Sequence, residues 1–340
     1  LNLNHEASLL QARVGNSLLA VRNQIASIDR KLWTFDAGSL FSAMQNTSQQ
    51  AKGTIHAAMN SYAIQGDFIK AHDQAVRTKH IMLAVLALLT LPAFLYLSRW
   101  ARKIIDGKPS LERYRTTLSR PVSAWLLFVI MCQLIVDFDG PMLRLRLILA
   151  IAWLPVMRLQ PKWIHENVGR WIYSTALFFV LSFFSQLITS YPLEYRLTLL
   201  VNGLLLFGTL TWLLCHLPAN NNAQNSRKRF LTRSLIVAYM ALVALAVLAN
   251  VLGSVQLAAL LTEASLNSLY LMLFLFAVRE FVRAYAHILV KSRTKEDQTR
   301  TQQASRLVEV AFTLFNLVLA LIWSTATLNS LRVLSALKSQ

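Results

Sequence analysis

Acidic side chains are scarce in this 340-residue chain. Sixteen Asp and Glu stand against 34 Lys and Arg, and charged residues of all kinds make up only 15%. No acid lies near the middle of an apolar run: Asp137, Asp139, Glu194, Glu263, Glu280 and Glu309 all fall at run edges. Proton relays and ion-coupled pathways use intramembrane acids, so the pattern speaks against both. There are two cysteines, Cys132 and Cys215, each inside an apolar run and without ligand spacing. This argues against a disulfide framework or a metal site and leaves each as a small buried apolar residue. Glycine is sparse too, at 10. Gly203 and Gly208 are too far apart by one residue for the small-xxx-small packing motif. The chain has no phosphate loop, nucleophile elbow or carboxylate pair. Seven histidines (His5, His56, His72, His80, His165, His216, His287) fall on different segments and read as interfacial or hydrogen-bonded side chains rather than ligands. No catalytic constellation, cofactor or metal is expected, and the chain does not read as an enzyme.

What is abundant is apolar surface. Hydrophobic residues make up 55% of the chain and the mean hydropathy is positive, which does not fit a soluble domain of this length. After a polar stretch, residues 1–80, come eight apolar runs whose connections are alternately rich and poor in Lys and Arg. The connection 98–120 holds Arg99, Arg102, Lys103, Lys108, Arg113, Arg115 and Arg120, and the next has Asp137 and Asp139 before Arg144 and Arg146. Arg158, Lys162 and Arg170 follow in 158–170, and Glu194 with Arg196 in 189–196. Arg227, Lys228, Arg229 and Arg233 mark 218–234, Glu263 marks 253–265, and 279–307 is again strongly basic. Basic loops stay on the cytoplasmic side, so the alternation predicts a polytopic protein with its N-terminal segment outside. Of the 34 basic residues, 21 then share one membrane face. Anionic headgroups are a sufficient partner for them and for the net charge of +18; nucleic acid is not expected.

The fold class read from this pattern is all-α, with about eight transmembrane helices after an extracytoplasmic helical segment. A crossing needs about 20 apolar residues. The expected spans are 81–98 with Pro92, 121–136 opening on a proline, 145–157, 171–188, 197–217, 235–252, 266–278 continuing as one helix to about 288, and 308–328. The third is short, begins among Arg144 and Arg146 and contains Pro155. Every later loop would fall on the wrong side for its charge if it did not cross. Ahead of the seventh, 255–261 is expected as a short helix in the outer interface.

Residues 1–80 form one domain in this reading and 81–340 the other. In the first, Leu10, Val14, Leu18, Val21, Ile25, Ile28 and Leu32 step by three or four, the stripe of an amphipathic or coiled-coil helix. A polar stretch around Gly38 and Lys52 follows, then a second helical stretch over 55–76 running into the first span. An extracytoplasmic hairpin, the end of a longer helical array, or a helix packing on a neighbouring subunit all fit. The chain begins without Met and shows no signal peptide, so it is expected to be an internal piece of a longer protein. Within the spans, Gln133, Gln186, Asn202, Asn250 and Asn316 can bond across to neighbouring helices. Small residues form no repeating stripe, and the helices read as lipid-facing and loosely packed.

The segment Ala249-Asn250-Val251-Leu252-Gly253-Ser254-Val255-Gln256-Leu257-Ala258, with Leu261-Thr262 and Ser268-Leu269-Tyr270-Leu271 after it, resembles the large MscS-type mechanosensitive channels. Arg120-Pro121-Val122 at the opening of the second span does so too. The resemblance covers roughly 80–340 and the helical segment before it. It implies a periplasmic helical region and an inner-membrane domain in a bacterial channel subunit, assembled as a homo-oligomer, a heptamer in the resemblance. The family's Gly- and Ala-rich pore helix and β-rich vestibule have no counterpart here, so no pore residue is carried over. The expected function is therefore the peripheral, tension-sensing part of a channel that releases ions on hypo-osmotic shock. Arg99, Arg102 and Lys103, and Arg227, Lys228 and Arg229, would hold lipid headgroups. A transporter-like or scaffolding membrane protein is the alternative.

Overall fold

The computed structural model describes residues 37–45, 54–105, 118–137, 141–160, 192–216, 223–293 and 298–332, with isolated pairs of residues between 173 and 182. Among them the chain is helical and contains no strand. The helices are α1 (Leu40–Gln45), α2 (Thr54–Ala75), α3 (Arg77–Ile105), α4 (Pro121–Val136), α5 (Met142–Leu159), α6 (Pro192–Cys215), α7 (Ala223–Leu252), α8 (Val255–Arg293) and α9 (Gln298–Ser330).

Among the described residues, five stretches are long and apolar enough to cross a membrane: Arg77–Ile105, Leu193–Cys215, Thr232–Leu252, Val255–Leu289 and Val308–Ser330. The second and third expected spans form as helices, α4 with 16 residues and α5 with 18. At 1.5 Å per residue α4 is about 24 Å long, short of a full hydrocarbon core, and α5 carries Arg144, Arg146 and Arg158. The expected span 171–188 lies mostly outside the described residues, as does the stripe from Leu10 to Leu32.

Pro92 does not end α3. Its missing N–H leaves one carbonyl without a helical donor, a defect that neighbours tolerate inside a membrane. Thr90 Oγ1 donates to the carbonyls of Leu86 and Ala87, and Trp125 Nε1 of α4 donates to Ala87 at 2.9 Å. The proline turn is thereby tied to the next helix.

Helix α8 is the hub, packing against α3, α5, α6, α7 and α9. It has neither glycine nor proline over its 39 residues, so no backbone feature interrupts it. The separate interfacial helix expected at 255–261 is instead the first turns of α8. Burial along its apolar stretch reaches 61%, against 11% for α3 and 6% for α9. The expectation of loosely packed helices thus fails for α8, the most buried of the five.

Three apolar clusters hold α8 in place. One joins α4, α5 and α8 through Leu127, Val156 and Ala277. A second joins α3, α4 and α8 at Ala101, Ala124 and Ala284, whose small side chains let the helices close. There Phe94 stacks on Phe281, with centroids 5.9 Å apart. The third joins α6, α7 and the first part of α8 through Leu206, Val243 and Leu266. Gly203 also serves close approach on its own, since a Cβ there would stand 2.7 Å from Val247 Cγ2.

Candidate functional site

Polar groups gather at two ends of the bundle. One end carries the α7–α8 turn at Gly253; the other carries the start of α4 at Arg120.

At the Gly253 end, Asp137 closes α4 and is fully buried. Arg144 at the start of α5 reaches its Oδ2 with Nε at 3.0 Å, and Gln133 Nε2, one turn back on α4, donates to the same oxygen. Oδ1 faces His80 Nε2 at 3.1 Å and His72 Nε2 at 3.6 Å. Neither contact has hydrogen-bond geometry. Arg144 also pairs with Asp73 and lies 2.9 Å from His80 Nδ1. A buried carboxylate is retained only when paired and hydrogen-bonded, and this one gathers α2, α3, α4 and α5 around it.

Asp137 and Asp139 stand close before Arg144 and Arg146 in the sequence, an arrangement that offers charge pairing. The Asp137–Arg144 pair is made, but buried, and Asp139 lies outside the described residues. Arg146 turns instead to Glu263 of α8, 3.4 Å away. His72 and His80, expected to be unrelated, meet on one carboxylate. They sit just before and just after Val76, where α2 passes into α3. No group of three or more His, Cys, Asp or Glu able to hold a metal occurs among the described residues; here the guanidinium of Arg144 occupies the cationic place.

The same end receives the N-terminal segment. Helix α7 stops because Gly253 adopts φ +104°, and the amides of Gly253 and Ser254 both donate to the Ala249 carbonyl, a glycine-dependent helix stop. The Gly253 carbonyl then accepts from Ala37 N at 3.0 Å. Arg196, buried at the start of α6, donates to the carbonyls of Gly38 (2.9 Å) and Asn250 (2.8 Å), and Asn250 Nδ2 returns a bond to the Arg196 carbonyl. Helix α1 thus rests on α6 and α7, with Leu40 buried.

Of the span amides, Asn250 bridges helices as expected, whereas Gln133 bonds within its own helix. Asn202 is buried with neither amide atom hydrogen-bonded among the described residues. Gln186 lies outside them. Hydroxyls supply a link that went unread in the sequence. Ser268 of α8 meets Tyr239 of α7 at 2.5 Å and Thr327 of α9 at 2.7 Å, while Trp323 Nε1 donates to the Ser268 carbonyl at 3.3 Å.

At the Arg120 end, Ser98 Oγ donates to the Leu118 carbonyl at 2.6 Å and Arg102 Nη2 to the Ser119 carbonyl at 3.0 Å. Arg99, Arg102 and Lys103 are exposed on the last turns of α3. Arg227, Lys228 and Arg229 lie in the first turns of α7, and their side chains are outside the described part. Arg120 donates to the carbonyl of Arg158, across the mouth of a cleft of about 680 Å³ between the start of α4 and the end of α5. Cys215, expected to be buried, is exposed at the end of α6, and Cys132 is partly buried; both are free thiols.

By length and composition of its helices, the chain falls in the class of helical membrane proteins. No family model, no curated protein and no solved structure matches it.

Proposed function

We propose that the chain is the peripheral, membrane-embedded part of a mechanosensitive channel subunit of MscS type, one that senses tension and does not itself line the pore. The observation that carries this reading is the contrast in burial along the apolar helices. Helix α8 is a packed hub, with 61% of its apolar stretch buried, against 11% for α3 and 6% for α9. Helices of the second kind are solvated by lipid, and any change in their tilt alters the area the domain occupies. Tension favours the state of larger in-plane area, so such a domain biases a two-state equilibrium.

In this reading the Gly253 end faces the periplasm of a bacterial inner membrane and the Arg120 end faces the cytoplasm. Helices α4 and α5 and the segment 171–188 complete eight crossings. The buried Asp137 cluster couples α2, outside the membrane, to the first three membrane helices. Lipids are the partner of the basic face, with Arg99, Arg102 and Lys103, and Arg227, Lys228 and Arg229, holding headgroups. The subunits assemble as a homo-oligomer, a heptamer on the resemblance.

Patch-clamp recording from reconstituted liposomes under graded suction tests the proposal, comparing the full gene product with this 340-residue chain. Stretch-activated current from the full product and none from the chain alone is the expected result. No stretch response from either refutes the channel reading and moves transport or scaffolding to the front.

A further inference from the structure

We infer that the cleft between the start of α4 and the end of α5 is a binding site for one anionic phospholipid, with the headgroup phosphate between Arg120 and Arg158 and an acyl chain along Leu154 and Val122.

The first turn of α4 is an anion site in waiting. Pro121 occupies its first position, no side chain caps it and no acid lies in its first turn. Ala124 N already donates to the Arg120 carbonyl, which leaves the amides of Val122 and Ser123 without an intrahelical carbonyl. Free amides and the positive end of the helix dipole favour a phosphate. A helix start alone would carry nothing. Here it opens into a cleft of about 680 Å³ that also carries two guanidiniums and, among the described residues, no acid. The Arg120–Arg158 carbonyl bond holds one guanidinium across the mouth, and Arg158 is exposed beside it.

The rest of the lining selects a lipid over a free anion. Leu154 and Val122 are more than half exposed, an apolar wall open to the surroundings. Trp153 and Tyr173, edge to face at 6.3 Å, add the aromatic pair common at membrane interfaces. The depth agrees. Arg102, on the last turns of α3, donates to the carbonyl of Ser119, the residue before Arg120, and Arg120 in turn reaches Arg158. Arg120 and Arg158 thus share the headgroup layer with the basic residues of their face. The inference rests on the membrane placement and sidedness proposed above, but not on channel activity.

Native mass spectrometry of the full chain, released from nanodiscs of phosphatidylcholine with a minor share of phosphatidylglycerol, tests it. Wild type should retain phosphatidylglycerol. Arg120→Gln with Arg158→Gln should weaken retention roughly tenfold, the factor that 1.4 kcal/mol makes, while Arg77→Gln with Arg332→Gln, at the Gly253 end of the bundle, should leave it unchanged. Leu154→Trp fills the apolar half with both arginines intact and should also weaken retention. Equal loss in the two arginine sets would reduce the effect to diffuse attraction and overturn the site. Unchanged retention in Leu154→Trp, or displacement of the lipid by inorganic phosphate, would overturn the lipid as occupant.

Discussion

Gly253→Ala is the sharpest test of how the N-terminal segment is held. At φ +104° an L side chain is strained by about 1–3 kcal/mol, and that part of the cost falls on the α7–α8 turn. The larger effect is steric. A Cβ at Gly253 would stand 2.2 Å from the Ala37 carbonyl oxygen and 2.9 Å from that of Gly38. Both neighbours are backbone, so no rotamer change relieves the overlap and residues 37–38 must move away. Their displacement breaks the Ala37 N–Gly253 bond, worth about 0.5–1.5 kcal/mol net. It also breaks the charge-assisted bond from Arg196 to Gly38, worth about 1.5–3 kcal/mol, and frees Leu40 from its contact with α6 and α7. Hydrogen exchange reads this directly. Amides over 37–45 should exchange at least tenfold faster in the variant, while those in the middle of α7 and α8 keep their protection. Gly66→Ala is the control, because nothing stands within 4 Å of its Cβ position and alanine favours the helix by roughly 0.5–1 kcal/mol. Unchanged exchange at Ala37 to Leu40 in Gly253→Ala would refute the docking of this segment on the turn.

Four further outcomes follow from the same geometry. Asp137→Ala leaves the partly buried Arg144 guanidinium with Asp73 alone as its counter-charge and should cost about 1–3 kcal/mol in thermal unfolding, whereas Asp137→Leu with Arg144→Met should recover most of it. Ser268→Ala removes the hydroxyl shared by Tyr239 and Thr327; denaturant titration in detergent should show a loss of roughly 0.6–2 kcal/mol, and Tyr239→Phe should add little on top because the two act through one bond. Arg146→Met should destabilise more than Glu263→Gln, which keeps an acceptor for the guanidinium, as judged by melting temperature. Cys215 should react with a membrane-impermeant maleimide only when the Arg120 face is accessible, and Cys132 far more slowly from either side; labelling from the opposite face would invert the proposed topology.

What sequence reveals here and what it hides divide along a physical line. The bounds of α4 and the end of α7 were legible, α4 opening on Pro121 and α7 stopping at Gly253, whereas α6 starts at Pro192 rather than at 197. The length of α8 was misread at Val255 because Glu263 was taken as the polar edge of a span. Helix continuity depends on backbone hydrogen bonding, which a glutamate does not interrupt, and Arg146 supplies its counter-charge. Of the Asp137 cluster only the nearby Asp137–Arg144 pair was within reach of sequence. His80 and Arg144 are 64 residues apart, and no periodicity carries information over such a separation. The same holds for Ser268, an ordinary hydroxyl in sequence that becomes a junction only when α7 and α9 close on α8.

The placement of these groups bears on how force would pass through the domain. Apolar contacts between membrane helices exchange one hydrocarbon surface for another and let helices slide at little cost, because lipid is as apolar as leucine. Buried charges and buried backbone bonds do not slide, since separating them strands a polar group in a medium without water. Polar contacts fasten both ends: Asp137, Arg196 and Gly253 join four or more chain segments at the Gly253 end, while at the other Ser98 ties α3 to the start of α4 and Gln160 ties the end of α5 to α8. At the Arg120 end Arg99, Arg102, Lys103 and Arg158 are all exposed, open to headgroups. On the proposed function, the end with fewer fastened segments would move more under tension, so the Arg120 end would splay, with α9 as the arm that moves furthest. Spin-label distances between exposed positions Arg99 of α3 and Val310 of α9 should therefore lengthen when lysolipid is added to the bilayer. Distances between Asp67 and Glu194, at the Gly253 end, should stay fixed. Equal changes at both ends would refute the splaying.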